Sequence, residues 1–474
     1  MYLKKLHISN FRCFRDYTIE FAPGVTVLFG KNGSGKTTLI HAIHKALSFA
    51  FKKDKKRKEN TALSAGFADL RPNNFSRKED IVRDEKTGFP FPDINIHAEA
   101  CYLGTDLNWD MYASTSTFKL QDSKYKDAYY LLMDTIQHTD TYPVFAYFSD
   151  SFPHVSNKAS GLSKTQLSLR NLGYLGWDAE TDYSDLWIKR FAQTWTQWYR
   201  ADQAIDIEKS ALRNCDSFLK KGMVNEQEYR EDVALHEKRL SIACNEKQQF
   251  DAEVSAIREC LVKFTKGDPN FEVVDLFVSV YEEEGLCLDT TDNRNPSFEK
   301  LPAGYKRLLY MALDIAYRSY LLNGTTDAHG VVIIDEIDLH LHPELEQVVL
   351  QRFINTFPHI QFIVSTHSPL VLTGVETNKN LNVVLKMTLP DNAPEVWPNI
   401  HGIDYNQMLE ENMGVSKRKP EIEALFEKAW KAVAAKDTEA AKKTVAELET
   451  VTPQDQTELV KLRAVISRIE IIGR

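Results

Sequence analysis

Residues 30–37 read Gly-Lys-Asn-Gly-Ser-Gly-Lys-Thr and fit the pattern G-x-x-x-x-G-K-[ST] in full, which constrains the fold more than anything else in the chain. The apolar run Val25–Phe29 leads into this octet, and a helical run over residues 38–50 leaves it. A strand that feeds a glycine-rich loop and then a helix is a βα unit, so an α/β domain is expected around it. In such a loop the backbone N–H groups of Gly30, Asn32, Gly33, Ser34 and Gly35 wrap phosphate oxygens, and the helix N-terminus adds a positive dipole end. Lys36 would reach the β and γ phosphates, Thr37 would offer its hydroxyl to magnesium, and Thr38 completes the binding set. ATP and Mg2+ are the expected ligands.

Far downstream, residues 331–334 form a short apolar run of buried-strand type that ends in Asp335 and Glu336. Two acids at the end of a buried strand demand a reason. In phosphate-loop enzymes the first acid holds magnesium through water, and the second polarises the attacking water, a general-base role worth about 100- to 10,000-fold. Asp335 is therefore assigned to the metal and Glu336 to catalysis; the alternative, acids that only cap the helix near Glu344, weighs less beside a phosphate loop. After the next apolar run, residues 361–364, the segment Ser-Thr-His-Ser-Pro puts His367 at a strand's C-terminal edge, where it could donate to the γ-phosphate. A lone histidine is more often structural, but its place in this order favours the functional role. Residues 301–307, LPAGYKR, stand before a helical run to Leu322, and a small residue plus Gly304 at a helix start leaves backbone donors open to a phosphate.

The 474 residues exceed what one hydrophobic core usually fills, so inserted or appended helical parts are expected. With 43% hydrophobic and 26% charged residues the chain is neither disordered nor fibrous. No apolar run approaches the roughly 20 residues that cross a bilayer, which places the protein in the cytoplasm without a membrane partner. Six scattered cysteines form no C-x-x-C pair. The net charge of −9 argues against an all-over basic nucleic-acid binder, yet the run KKDKKRK at residues 52–58 is a local basic patch, and direct DNA contact stays open.

Alternation of Ile94, Ile96, Ala98, Ala100 and Tyr102 predicts a half-buried antiparallel strand beside the nucleotide core. Between residues 184 and 266 the chain is rich in Glu, Lys, Arg, Gln and Ala, lacks Pro and breaks near Gly222, which predicts two helices folded back as a hairpin without a sustained heptad seam. The boundaries expected are 1–183 for a first lobe with the phosphate loop, 184–266 for the helical insert, 267–415 for a second lobe with the paired acids and His367, and 416–474 for a helical appendix with a turn at residues 450–453.

Taken in order, FGKNGSGKTTL, LPAGYKR, VVIIDEIDLHLHPE and STHSP resemble the ABC-type ATPases of the SMC, RecF and OLD group, and the opening LHISNFRCFRDYTIEF resembles their first hairpin. The likeness is close over residues 1–50 and 295–405 and general in between. It implies an ABC-type P-loop ATPase head of the α/β class, a mixed sheet plus an antiparallel β subdomain, with an inserted helical hairpin and a C-terminal helical appendix. By this resemblance Leu301 to Tyr305 stands at the ABC signature and His340 to Pro343 near the D-loop. Each ATP of that family lies between the P-loop of one subunit and the signature of another, so a homodimer or higher even-numbered homo-oligomer is implied. Here Pro302 replaces the signature serine, which leaves Gly304 and Lys306 to make the contact in trans and implies slow turnover. No Q-loop glutamine can be placed.

Within the group, LHPE and the segment HGIDYNQMLEENMGV look most like ATPase subunits of bacterial anti-phage systems, the Septu ATPase PtuA and its retron-associated relatives. That likeness implies a separately encoded HNH nuclease as partner. A fused Toprim nuclease of the OLD kind is not expected, because no D-x-D follows Val383. The first expectation is thus an ATP-gated sensor and scaffold for a nuclease. The second is a DNA-repair clamp of RecF type, for which each arm of the insert, roughly 50 Å long, is short; a transporter subunit fits neither LHPE nor the insert.

Overall fold

In the computed structural model, residues 1–53, 63–64, 67, 70–84, 86–150, 152, 163–177, 184–279, 285–292, 294–377, 381–388, 393–397, 400–404, 407–409 and 418–472 are described. They divide into two compact units, Met1–His401 and Gly402–Arg474. Most of the basic run at 52–58 and part of the HGIDYNQMLEENMGV segment lie outside the described residues. Lys52, inside them, is buried and paired with Asp122 at 2.5 Å.

Strands β1 (Tyr2–Phe11) and β2 (Phe14–Glu20) turn back on each other at Arg12 and Cys13, and the chain then enters β3 (Val25–Phe29), the strand of the phosphate loop. Strands β4 (Asp93–Tyr102) and β5 (Thr105–Ser114) join the first two in an antiparallel sheet of order β2-β1-β4-β5. Period-two alternation dictates this layer: Ile94, Ile96, Ala98, Ala100 and Tyr102 are buried, and the residues between them are half-exposed. The buried face packs on α1 (Lys36–Leu47), where Trp109 donates its indole N–H to Ala46 O at 2.9 Å and stacks on Phe49 just beyond.

The second sheet has the order β12-β11-β3-β10-β9-β6, with β6 (Val144–Phe148), β9 (Gly330–Ile334), β10 (Ile360–Ser365), β11 (Asn382–Lys386) and β12 (Glu395–Val396). All its pairings are parallel except β11 with β12. Strands β3, β6, β9 and β10 are buried at every position, as a sheet covered on both faces requires. Gln361 of β10, 1% exposed, joins the two sheets: its amide accepts from Leu3 N at 2.7 Å and donates to Leu3 O and Ala22 O at 2.9 and 2.7 Å. A hairpin of β7 (Val273–Ser279) and β8 (Gly285–Thr290) stands apart. This is the mixed sheet plus antiparallel layer expected from the sequence.

Helices α2 (Lys126–Thr139) and α3 (Lys164–Leu167) precede a long antiparallel pair, α4 (Ser184–Lys220) and α5 (Glu226–Thr265). At 1.5 Å per residue the 37 residues of α4 reach about 55 Å. Asn225 starts α5 through a capping box with Glu228. Along the outer part only small or single apolar groups such as Ala201, Ile205, Cys215 and Ala243 are buried, and polar rungs close the pair: Trp198 to Asp251, Lys247 to Asp202, His236 to Glu208 and Tyr229 to Asp216, at 2.5–2.8 Å.

The root of the pair is fixed to α6 (Ala303–Asn323). Trp187 of α4 stacks on Tyr317 and donates to Asp314 at 2.6 Å; Arg318 pairs with Asp314 and donates to Gly173 O and Leu175 O at 2.9 and 3.0 Å. Arg190 of α4 forks onto Glu253 of α5 with two bonds of 2.8 Å. Helices α7 (Pro343–Thr356) and α8 (Pro369–Thr373) follow β9 and β10. Among the described residues of the unit Gly402–Arg474, the helices α9 (Pro420–Ala434), α10 (Thr438–Val451) and α11 (Thr457–Ile472) pack around Phe426, Ala429, Leu448, Leu459 and Leu462. The unit contains a turn that composition did not signal, at Lys436, whose φ is 59°. No helix of the described residues is long and apolar enough to cross a membrane.

Candidate nucleotide-binding site

The parallel strands β3, β6, β9 and β10 all end at one edge, and the sequence-predicted residues gather there. Gly35 closes the phosphate loop with φ of 91°, and a Cβ there would stand 2.8 Å from the Phe14 ring, so the β1–β2 hairpin packs directly on the loop. The first turn of α1 follows without any side-chain cap or acidic residue, which leaves its N–H groups and dipole unopposed. Lys36 folds back over the loop and donates to Gly30 O at 2.8 Å and Lys31 O at 3.2 Å. Burial pulls its pKa down, against the attraction of Asp335, Glu336 and Asp338. The hydroxyl of Ser34 is buried with no hydrogen-bond partner, while Asn32, Gly33 and Thr37 are exposed and Thr38 is half-buried.

Asp335 and Glu336 leave β9 beside the loop. Asp335 accepts from the Ser365 hydroxyl and from Thr37, which brings the two predicted metal ligands together. Its pKa is raised, first by burial and then by the charge of Asp150, against the pull of Ser365, Thr37 and Lys36. Glu336 has a left-handed backbone, φ 50°, and its N–H donates to Ser365 Oγ at 2.8 Å. Asp338 accepts from Thr366 Oγ1 at 2.6 Å and from His367 N at 3.3 Å, so the backbone of His367 is pinned while its ring is exposed at the same edge.

The segment with Gly304 opens α6 and lies against the loop after the acids: a Cβ on Gly304 would meet His340 O at 2.7 Å. Pro302 sits at the N-cap and brings no capping bond, as expected for a proline in place of serine. Lys306 pairs with Glu299 of the same chain. The phosphate loop and the acids of β9 therefore converge directly, whereas Gly304 and Lys306 make their contacts within the α6 and His340 neighbourhood.

Several residues at this edge escaped the sequence reading. Ser365 bridges Asp335 and the Glu336 backbone; its only signal is a hydroxyl closing the apolar strand β10. Asp150 follows β6, the strand beside β9, and no glutamine occupies that strand end, where Ser149 and Asp150 stand. Arg307 donates to three carbonyls of the loop after β9.

Behind the loop, α1 carries two neutralised histidines. Burial lowers the pKa of His44 to about 3, and its ring packs at a tilt against Tyr147 and Trp177; burial, then Arg12 and Lys45, lower that of His41 to about 4. A histidine whose folded pKa lies below its unfolded value of about 6.5 contributes stability that is fully present above that value and is lost as pH falls toward the folded pKa. For His44, 7% exposed, the expected loss between about pH 7 and about pH 5 is about 2 kcal/mol. Urea unfolding of the wild type and His44→Gln at both pH values checks this: the variant should lose about 2 kcal/mol of the pH dependence, and an unchanged dependence contradicts the assignment.

A family described as an AAA domain matches residues 5–259, and one described as an AAA ATPase domain matches residues 187–372. The chain is 27% identical over 401 residues to the retron Vc95 probable ATPase of Vibrio cholerae serotype O1 biovar El Tor, covering 76% of this chain and 68% of that protein. It is 42% identical over 83 residues to the Septu protein PtuA of Bacillus mycoides (strain KBAB4), covering 18% of this chain and 12% of that one. Among solved structures, the Smc head domain derived from Pyrococcus furiosus, bound to the C-terminal domain of ScpA, aligns with 84% of this chain and 96% of its own at a TM-score of 0.42 and 13% identity.

Proposed function

Since this chain belongs to the AAA-domain family, we propose that it binds ATP with magnesium at the β3–β9 edge, hydrolyses it slowly, and serves as the sensor and scaffold subunit of a bacterial anti-phage defence system, regulating a separately encoded HNH-type nuclease. The observation that carries the ATPase reading is the meeting of Lys36 and Thr37 with Asp335 and Glu336 across parallel strands. The retron and Septu relatives support the defence setting.

The residues fit the nucleotide and its metal. The orphaned Ser34 hydroxyl and the uncapped first turn of α1 are donors that phosphate oxygens satisfy. Magnesium, when bound, would neutralise phosphate charge; Thr37 and Asp335 would hold it. Lys36 exchanges its two carbonyl bonds for phosphate oxygens, a short swing for a side chain already lying over the loop. Glu336 takes the proton of the attacking water, and Ser365 holds its backbone while it does so. His367, exposed at the edge, donates to the γ-phosphate. Gly304 and Lys306 serve the site of a second subunit, which requires Lys306 to leave Glu299 and makes an even-numbered homo-oligomer the working form.

Native mass by light scattering tests the assembly reading, with and without ATP and magnesium, on Glu336→Gln protein mixed with the product of the neighbouring gene. A stable even-numbered assembly that retains the neighbour is the expected result. A monomer that dimerises only with ATP, ignores the neighbour and binds duplex DNA would replace this reading with the repair-type clamp.

A further inference from the structure

Arg307 lies one turn into α6 and is 1% exposed, yet it is not paired with any carboxylate of its own helix. Its fork spends itself on backbone: one terminal nitrogen donates to Glu336 O and Leu339 O, both at 2.9 Å, and the other to Asp335 O at 3.3 Å, while Nε has no partner. The three carbonyls belong to one tight turn, in which Leu339 N donates to Glu336 O at 3.1 Å and Leu341 N to Asp338 O at 3.1 Å. Two residues of that turn have left-handed backbones, Glu336 with φ 50° and His340 with φ 66°. Such a conformation is sparsely populated for a non-glycine residue and persists only where the surroundings over-determine it.

Those surroundings are visible. Ser365 Oγ holds the Glu336 N–H from one side, and Arg307 holds the Glu336 carbonyl from the other. The residue is clamped at both of its peptide groups while its carboxylate stays free to act. A lysine at 307 carries its donors on a single nitrogen and does not reproduce the two-nitrogen fork that spans these carbonyls.

We propose that Arg307 is a positioning residue for hydrolysis, fixing the strained turn that aims Glu336 at the attacking water. This rests on the reading of Glu336 as the general base. The test compares wild type, Arg307→Lys, Glu336→Gln and the double variant in steady-state ATP hydrolysis and in ATP binding, with thermal melting as a folding control. Arg307→Lys should lose about 10- to 100-fold in kcat, with ATP affinity within about threefold of wild type, as expected for a misplacement on the order of 1 Å. Because Arg307 acts through Glu336, the double variant should be no slower than Glu336→Gln alone. In Arg307→Ala, added guanidinium should restore part of the lost rate, a response that loss of fold would not give.

A wild-type kcat in Arg307→Lys, or a multiplicative loss in the double variant, overturns the positioning role. If Glu336→Gln hydrolyses ATP at the wild-type rate, the general-base reading falls instead, whatever Arg307→Lys does.

Discussion

Glu336→Gln is expected to slow ATP hydrolysis by about 100- to 10,000-fold while ATP binding stays near that of the wild type. The amide matches the carboxylate in shape but cannot take a proton. Every bond that holds this residue in place uses its backbone, N–H to Ser365 and carbonyl to Arg307, so the substitution leaves the geometry of the turn intact. Lys36, Thr37 and Asp335, which carry the binding reading, are unchanged. Single-turnover phosphate release and equilibrium nucleotide binding measure the two halves of the expectation. A loss of less than about tenfold would move the base role elsewhere, with the neighbouring Asp150 the first position to examine.

The largest stability effect should come from the bolt between α6 and the helical hairpin. Asp314 and Arg318, both 3% exposed, form a buried pair, and Asp314 also takes the indole N–H of Trp187. Asp314→Ala would leave a buried guanidinium without its countercharge and an indole without its acceptor, at a cost of about 3–5 kcal/mol. Urea unfolding followed by tryptophan fluorescence reads this directly. Replacing both partners, Asp314→Leu with Arg318→Met, should recover much of the loss, because no charge is then stranded. A single variant that loses under about 1 kcal/mol would mean that solvent reaches the pair.

What could be read in the sequence was local. The phosphate loop, its strand and its helix are contiguous, and the acids after β9 are announced by the apolar run in front of them. The hairpin was legible from composition and from Gly222, whose φ is 65°. Strand β6 followed the same grammar, five buried residues and then Ser149 and Asp150, but nothing local tells that it lies beside β9. Arg307 and Ser365 lie 29 residues on either side of Glu336, so only the folded sheet and α6 bring them to it. One clue was available: Arg307, Asp314 and Arg318 recur on one face of an otherwise apolar helix, a pattern that marks buried charge with a job to do. The turn between α9 and α10 had no such clue, since Lys436 takes the left-handed conformation that glycine usually supplies.

The tie at Trp187 gives the hairpin leverage. It sits within the first two turns of α4, so most of the helix lies beyond it. Over about 55 Å, a tilt of about 5° at that end displaces the tip by about 5 Å. The helix that receives the tie is α6, whose first turn carries Gly304 and touches the turn of the paired acids. A displacement too small to notice at the phosphate edge is therefore magnified into one the width of a side chain at the tip, and a load at the tip is felt at the edge with the same mechanical advantage.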